Sequence, residues 1–118
     1  MPNPVVHFEI VGKDAKRTQS FYADLFGWHV DTNNPMEYGM VDTHAGSGIN
    51  GGLSGLNEND TSTRCTIYVE VDDLQKYLDK AEALGGKTIM PPSDVPGGPS
   101  LAMFTDPSGI VVGVVKGM

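Results

Sequence analysis

The sequence predicts an α+β domain of two tandem β-α-β-β-β modules, residues 1–54 and 64–118, joined by a linker at 55–63. Three observations predict it. Val5–Trp28 and Thr66–Gly86 repeat one plan fifty-nine positions apart without a gap, so that Asp14 falls on Asp73, Gly27 on Gly86 and His7 on Thr66. In each copy a two-residue alternation of apolar side chains gives way to three- and four-residue spacing, the change of period from strand to helix. The 15 glycines and 8 prolines fall between the apolar segments, where they act as turn punctuation.

Taken in order, Val5–Ile10 reads as a strand with Val6, Phe8 and Ile10 on one face and Val5, His7 and Glu9 on the other. Asp14 is a plausible N-cap for a helix running to Phe26. Ala15, Thr18, Tyr22 and Leu25 form its buried stripe, broadened by Phe21 and Phe26, and Gly27 ends it. Trp28–Thr32, Glu37–Asp42 and Ile49–Ser54 follow as strands, with a turn through Asn33-Asn34-Pro35. Gly55–Thr63 is polar and reads as the linker. The second copy opens with Arg64–Val71, whose Cys65, Ile67, Val69 and Val71 are expected on the helix side, with Cys65 a buried structural thiol. Asp72 and Gln75 have the spacing of a capping box, and Leu74, Tyr77, Leu78, Ala81 and Leu84 make the helix stripe. Lys87–Met90, Ser100–Thr105 and Ile110–Val115 complete the module. Pro91–Pro99 is expected to be irregular, either a lid or a plain surface connection.

In each module the helix covers one sheet face. The other face carries His7, Glu9, Asn50, Thr66, Tyr68 and Glu70, a mixture that suits the wall of a binding cavity enclosed by curved mixed sheets. The 15 acidic residues against 8 basic ones leave a net charge of -7, which argues against nucleic acid and anionic membrane as partners. No apolar run approaches the ~18 residues of a membrane span, Met1–Pro4 is too short for a signal peptide, and Cys65 is alone. A cytoplasmic domain is expected.

The N-terminal HFEI…D…FY..LFGW, the central YVEVDDLQKYLDKAEALGG and the late AMFTDPSG, in this order within a repeated β-α-β-β-β unit, resemble the vicinal oxygen chelate superfamily of glyoxalase I, bleomycin-resistance proteins and extradiol dioxygenases. The resemblance covers nearly the whole chain, and it implies a homodimer. Enzymes of that superfamily hold one divalent metal with His and Glu side chains from four strands, and the metal acts as a Lewis acid on two neighbouring substrate oxygens. Transferred to this chain, the first ligand position is His7 and its counterpart in the second copy is Thr66. The positions four residues after Gly48 and after Gly109 are Gly52 and Gly113. His7 is thus the only retained ligand position, so no metal and no cofactor are expected, although Glu9, Glu70 or the loop residue His44 could substitute.

Two functions follow from the resemblance and the residues together. The first is a metal-free protein that sequesters a hydrophobic or aromatic small molecule such as an antibiotic or metabolite, through His7, Trp28, Tyr38, Met40, Asn50, Thr66, Tyr68, Glu70, Met103 and Phe104. Aromatic planes and adaptable thioethers suit a flat apolar ligand. The second is a metal-dependent glyoxalase-type lyase or isomerase, or a dioxygenase, using His7 with Glu9 and Glu70. Between them stands a metal-free enzyme with His7 or Glu9 as general base. His7, Glu9 and Glu70 each have an ordinary alternative, as a residue of an ancestral site or of a solvated sheet margin.

Overall fold

The computed structural model describes residues 2–43, 46–56 and 62–117. Its elements are β1 (Val5–Gly12), α1 (Ala15–Phe26), β2 (His29–Asp31), β3 (Gly39–Asp42), β4 (Gly51–Gly55), β5 (Arg64–Glu70), α2 (Leu74–Ala83), β6 (Lys87–Asp94), β7 (Ser100–Thr105) and β8 (Val111–Lys116). Two rounds of β-α-β-β-β are therefore present. The chain forms two compact units, one of His7–Cys65 and one of Thr66–Met118 together with Met1–Val6.

In the His7–Cys65 unit the strands lie in the order β2-β3-β4-β1, with β4 parallel to β1 and antiparallel to β3. Asp14 caps α1 by accepting from the Arg17 N–H, and Gly27 closes it in the left-handed region at φ 71°. That conformation is open to glycine without the steric cost a Cβ brings. The helix meets the sheet differently from the expectation. Its buried residue is Gln19, while Phe21, Leu25 and Phe26 are each 57 % exposed. Ala15, Thr18 and Tyr22 of the expected stripe do turn inward, joined by Gln19, which hydropathy concealed because it is polar. Gln19 is satisfied there: its Nε2 donates to the Leu53 carbonyl at 2.9 Å and to the Glu37 carbonyl at 3.4 Å. Leu53 itself is fully buried, a burial that stabilises by about 1.5–3 kcal/mol.

In the second unit the order is β5-β8-β7-β6, with β5 and β8 parallel. Its two sheet faces are both packed. Val71, Leu74, Leu78, Ala102 and Val114 cluster under α2, with Tyr77 and Phe104 against them. Tyr68, Met103 and Val115 cluster on the opposite face, with Val6, Met90, Leu101 and Val111 around them.

Four local expectations are corrected. Asp73, not Asp72, caps α2, accepting from the Lys76 N–H at 3.1 Å, while Gln75 donates to Asp79 one turn on. Strand β6 runs through Pro91 and Pro92 to Asp94. It is the outermost strand of its unit and its register shifts between Met90 and Ser93, the edge-and-bulge setting in which proline loses no ladder bond. Cys65 is exposed, as are Ile67 and the helix-terminal Leu84. Lastly, β8 begins at Val111 and leaves Ile110 exposed, because Ile110 closes the Asp106 turn: its N–H donates to the Asp106 carboxylate and its carbonyl accepts from the Asp106 N–H.

Candidate functional site

The strongest polar arrangement in the His7–Cys65 unit centres on Tyr38. Its hydroxyl donates to Glu9 Oε2 at 3.0 Å and lies 3.0 Å from His7 Nε2. With the hydroxyl hydrogen committed to the carboxylate, the contact to Nε2 requires His7 to carry its hydrogen on that nitrogen. Burial pushes the His7 imidazole below its ordinary value of 6.5, while the Glu9 charge pulls in the opposite direction and is the weaker influence. His7 is therefore a neutral imidazole at pH 7.

Strand geometry puts these groups on one face. His7 and Glu9 are two apart on β1, and Glu9 is registered with Gly52, which is registered with Met40, which faces Asp31. One row across four strands thus reads Glu9, Gly52, Met40, Asp31. Tyr38 reaches over the row from the start of β3. A Cβ added at Gly52 would collide with the Tyr38 hydroxyl and ring, so the glycine creates the room that the tyrosine fills. Met40 is 49 % exposed on this face.

Tyr38 is held by the turn that precedes it and by α1. Asn34 grips its backbone twice, accepting from the Tyr38 N–H at 2.9 Å and donating to the Tyr38 carbonyl at 2.8 Å. Glu37 adopts φ 52°, the one non-glycine residue with positive φ among those described, and Gln19 holds its carbonyl. The Asn33-Asn34-Pro35 stretch announced a turn, and this turn aims the tyrosine.

The other expected site residues are distributed. Trp28 lies on the helix side, stacked on Tyr22 at 5.8 Å and close to Phe26 and Phe8. Phe8 covers Gly51 on that side, so Trp28 is turned away from the His7 row. Asn50 ties a loop, its side-chain oxygen accepting from the Thr43 N–H at 3.2 Å. In the second unit Tyr68 and Met103 belong to the packed core, and Phe104 faces α2. Met103 and Phe104 are consecutive on β7, so the period of two sends them to opposite faces. The Tyr68 ring fills the Cβ position of Gly113 as Tyr38 fills that of Gly52. Thr66 is 1 % exposed and its hydroxyl has no hydrogen-bond partner among the described residues. Glu70 borders an open cavity of about 550 Å³ with Asn3, Lys76 and Tyr77. His44 lies outside the described residues.

A divalent metal fits this donor set poorly. Among the described residues no three His, Cys, Asp or Glu side chains converge. The Tyr38 hydroxyl stands between the two candidate donors that do come together, and aromatic rings fill the space at both glycines.

Against known proteins, the model of the Glyoxalase/Bleomycin resistance protein/Dioxygenase superfamily matches residues 5–114. The glyoxylase-like CFP32 of Mycobacterium tuberculosis is 31 % identical over 108 residues, covering 86 % of this chain and 41 % of that protein. The anthracycline biosynthesis protein DnrV of Streptomyces peucetius is 26 % identical over 128 residues, covering 96 % and 46 %. The chain thus spans under half the length of these curated relatives. Among solved structures, a superfamily member from Vibrio splendidus superposes with TM-score 0.66 at 18 % identity, covering 98 % of this chain and 100 % of the other. Methylmalonyl-CoA epimerase from Mycobacterium tuberculosis gives TM-score 0.69 at 13 %, covering 97 % and 87 %. At these identities the structural likeness is one of fold.

Proposed function

This chain belongs to the Glyoxalase/Bleomycin resistance protein/Dioxygenase superfamily, and on that premise we propose that it binds a hydrophobic or aromatic small molecule, an antibiotic or metabolite, without a divalent metal. One observation carries the proposal: the Tyr38 hydroxyl bridges His7 and Glu9 over Gly52. The residues that would hold an ion are engaged with a phenol instead. What the face then offers a ligand is an aromatic edge, the exposed thioether of Met40 and hydrogen-bonding groups at His7 and Glu9. Such a mixture takes up flat apolar surface and orients it through a few polar contacts. The relative named for anthracycline biosynthesis supports this class of ligand. The reading also has the protein act as a homodimer in the cytoplasm.

Calorimetric titration with a panel of planar aromatic compounds, an anthracycline among them, in buffer containing EDTA tests it. One ligand per chain is expected, with Met40→Ala weakening binding more than tenfold and His7→Ala staying within about tenfold. A panel that binds only after nickel, zinc, manganese or iron is added would sink the proposal in favour of chelation.

A further inference from the structure

We infer that Tyr38 stands where a metal ion would stand, and that its ring is what keeps a divalent cation from His7 and Glu9. The inference rests on the metal-free reading above and gives it a cause. The hydroxyl oxygen is 3.0 Å from His7 Nε2 and 3.0 Å from Glu9 Oε2. An ion shared by an imidazole and a carboxylate occupies that same intermediate point, with bonds drawn in to about 2.0–2.2 Å. The phenol gives the imidazole an acceptor and the carboxylate a donor, so both are satisfied without a cation.

The exchange depends on position 52. A side chain there would project into the volume of the Tyr38 ring, so the tyrosine and a ligand on β4 are mutually exclusive. The backbone that carries the ring is fixed from behind, by the two Asn34 bonds and by the Gln19 bond to the neighbouring carbonyl. The second unit carries the same pairing, with Tyr68 over Gly113.

Removing the ring and restoring a carboxylate should therefore create a metal site. In Tyr38→Ala/Gly52→Glu the new carboxylate comes from the position registered with Glu9, about 5 Å away across the strands, and joins His7 and Glu9 as a third donor. Cobalt(II) is titrated into wild type, Tyr38→Phe and the double variant, followed by calorimetry and by the visible absorbance of the bound ion. The double variant is expected to take one cobalt per chain, at least about tenfold tighter than wild type, and to lose it with a further His7→Ala. Tyr38→Phe, which keeps the ring, should behave like wild type. A folded double variant that gains no cobalt binding overturns the inference and leaves the ligand proposal standing. Wild-type protein that itself holds one ion per chain through His7 overturns both. Should the double variant lose its native circular dichroism, cobalt-induced broadening of the His7 ring protons in Tyr38→Ala decides. Broadening absent from wild type supports the inference, and equal response in the two proteins overturns it.

Discussion

His7 and Thr66 occupy matching places in the two copies, and each makes a prediction of its own. Burial lowers the His7 pKa from its ordinary 6.5, so the unfolded chain binds the proton more readily than the folded one. The stability this residue gives is complete above pH 6.5, falls as the pH drops below it, and levels off once the folded-state pKa is passed. The thermal midpoint of wild type should therefore drop more between pH 7.5 and pH 5.5 than that of His7→Gln; parallel curves would show that His7 is not the group responsible. Thr66 lies 1 % exposed with a hydroxyl that finds no partner among the described residues. A buried hydroxyl without a hydrogen bond costs about 1–3 kcal/mol. Thr66→Val keeps the shape and removes the polar atom, so it should raise stability by about 1 kcal/mol. Denaturant melts measure this directly, and a loss of similar size would mean that the hydroxyl is satisfied by a buried water.

The helices divide what local sequence can reveal from what it cannot. Asp72 and Asp73 stand side by side, and spacing to Gln75 favoured the first, yet the structure gives the cap to Asp73. Asp73→Ala should therefore cost about 1 kcal/mol and Asp72→Ala far less, and urea unfolding of the two variants would expose a wrong assignment at once. Element order was legible because strand and helix periods are local properties, and the offset of fifty-nine positions carries them twice. The inner face of α1 was legible at Ala15, Thr18 and Tyr22 but not at Gln19, which is buried for its bonds to the Leu53 and Glu37 carbonyls, from distant parts of the chain. The site divides in the same way. His7 and Glu9 were legible as neighbours on one strand face. That Tyr38 bridges them over Gly52 depends on pairings 31 and 29 residues apart and on the Asn34 grip. Alternation also placed Tyr68 on the face away from the helix, but it could not tell that this face is filled by side chains of its own unit.

For the molecule as a whole, the exposed apolar side chains of α1 set the energetics of self-association. Phe21, Leu25 and Phe26 are each 57 % exposed and sit on one helix, in a chain that spans under half the length of its curated relatives. Burying the remaining surface of such a side chain stabilises by about 0.8–1.5 kcal/mol, taking half of the full-burial value. Two copies meeting through these helices would gain roughly 5–9 kcal/mol, against an association cost of about 4–15 kcal/mol. The gain and the cost are of the same size, so a homodimer formed through α1 alone is weak and sensitive to single substitutions. The charge of -7 on each chain adds repulsion that salt screens. Sedimentation velocity should accordingly show a dimer that strengthens from low to high ionic strength and becomes monomeric with Leu25→Asp. If wild type stays monomeric at every salt concentration, the homodimer is wrong. If it dimerises with Leu25→Asp unaffected, the pairing uses another face and α1 remains exposed.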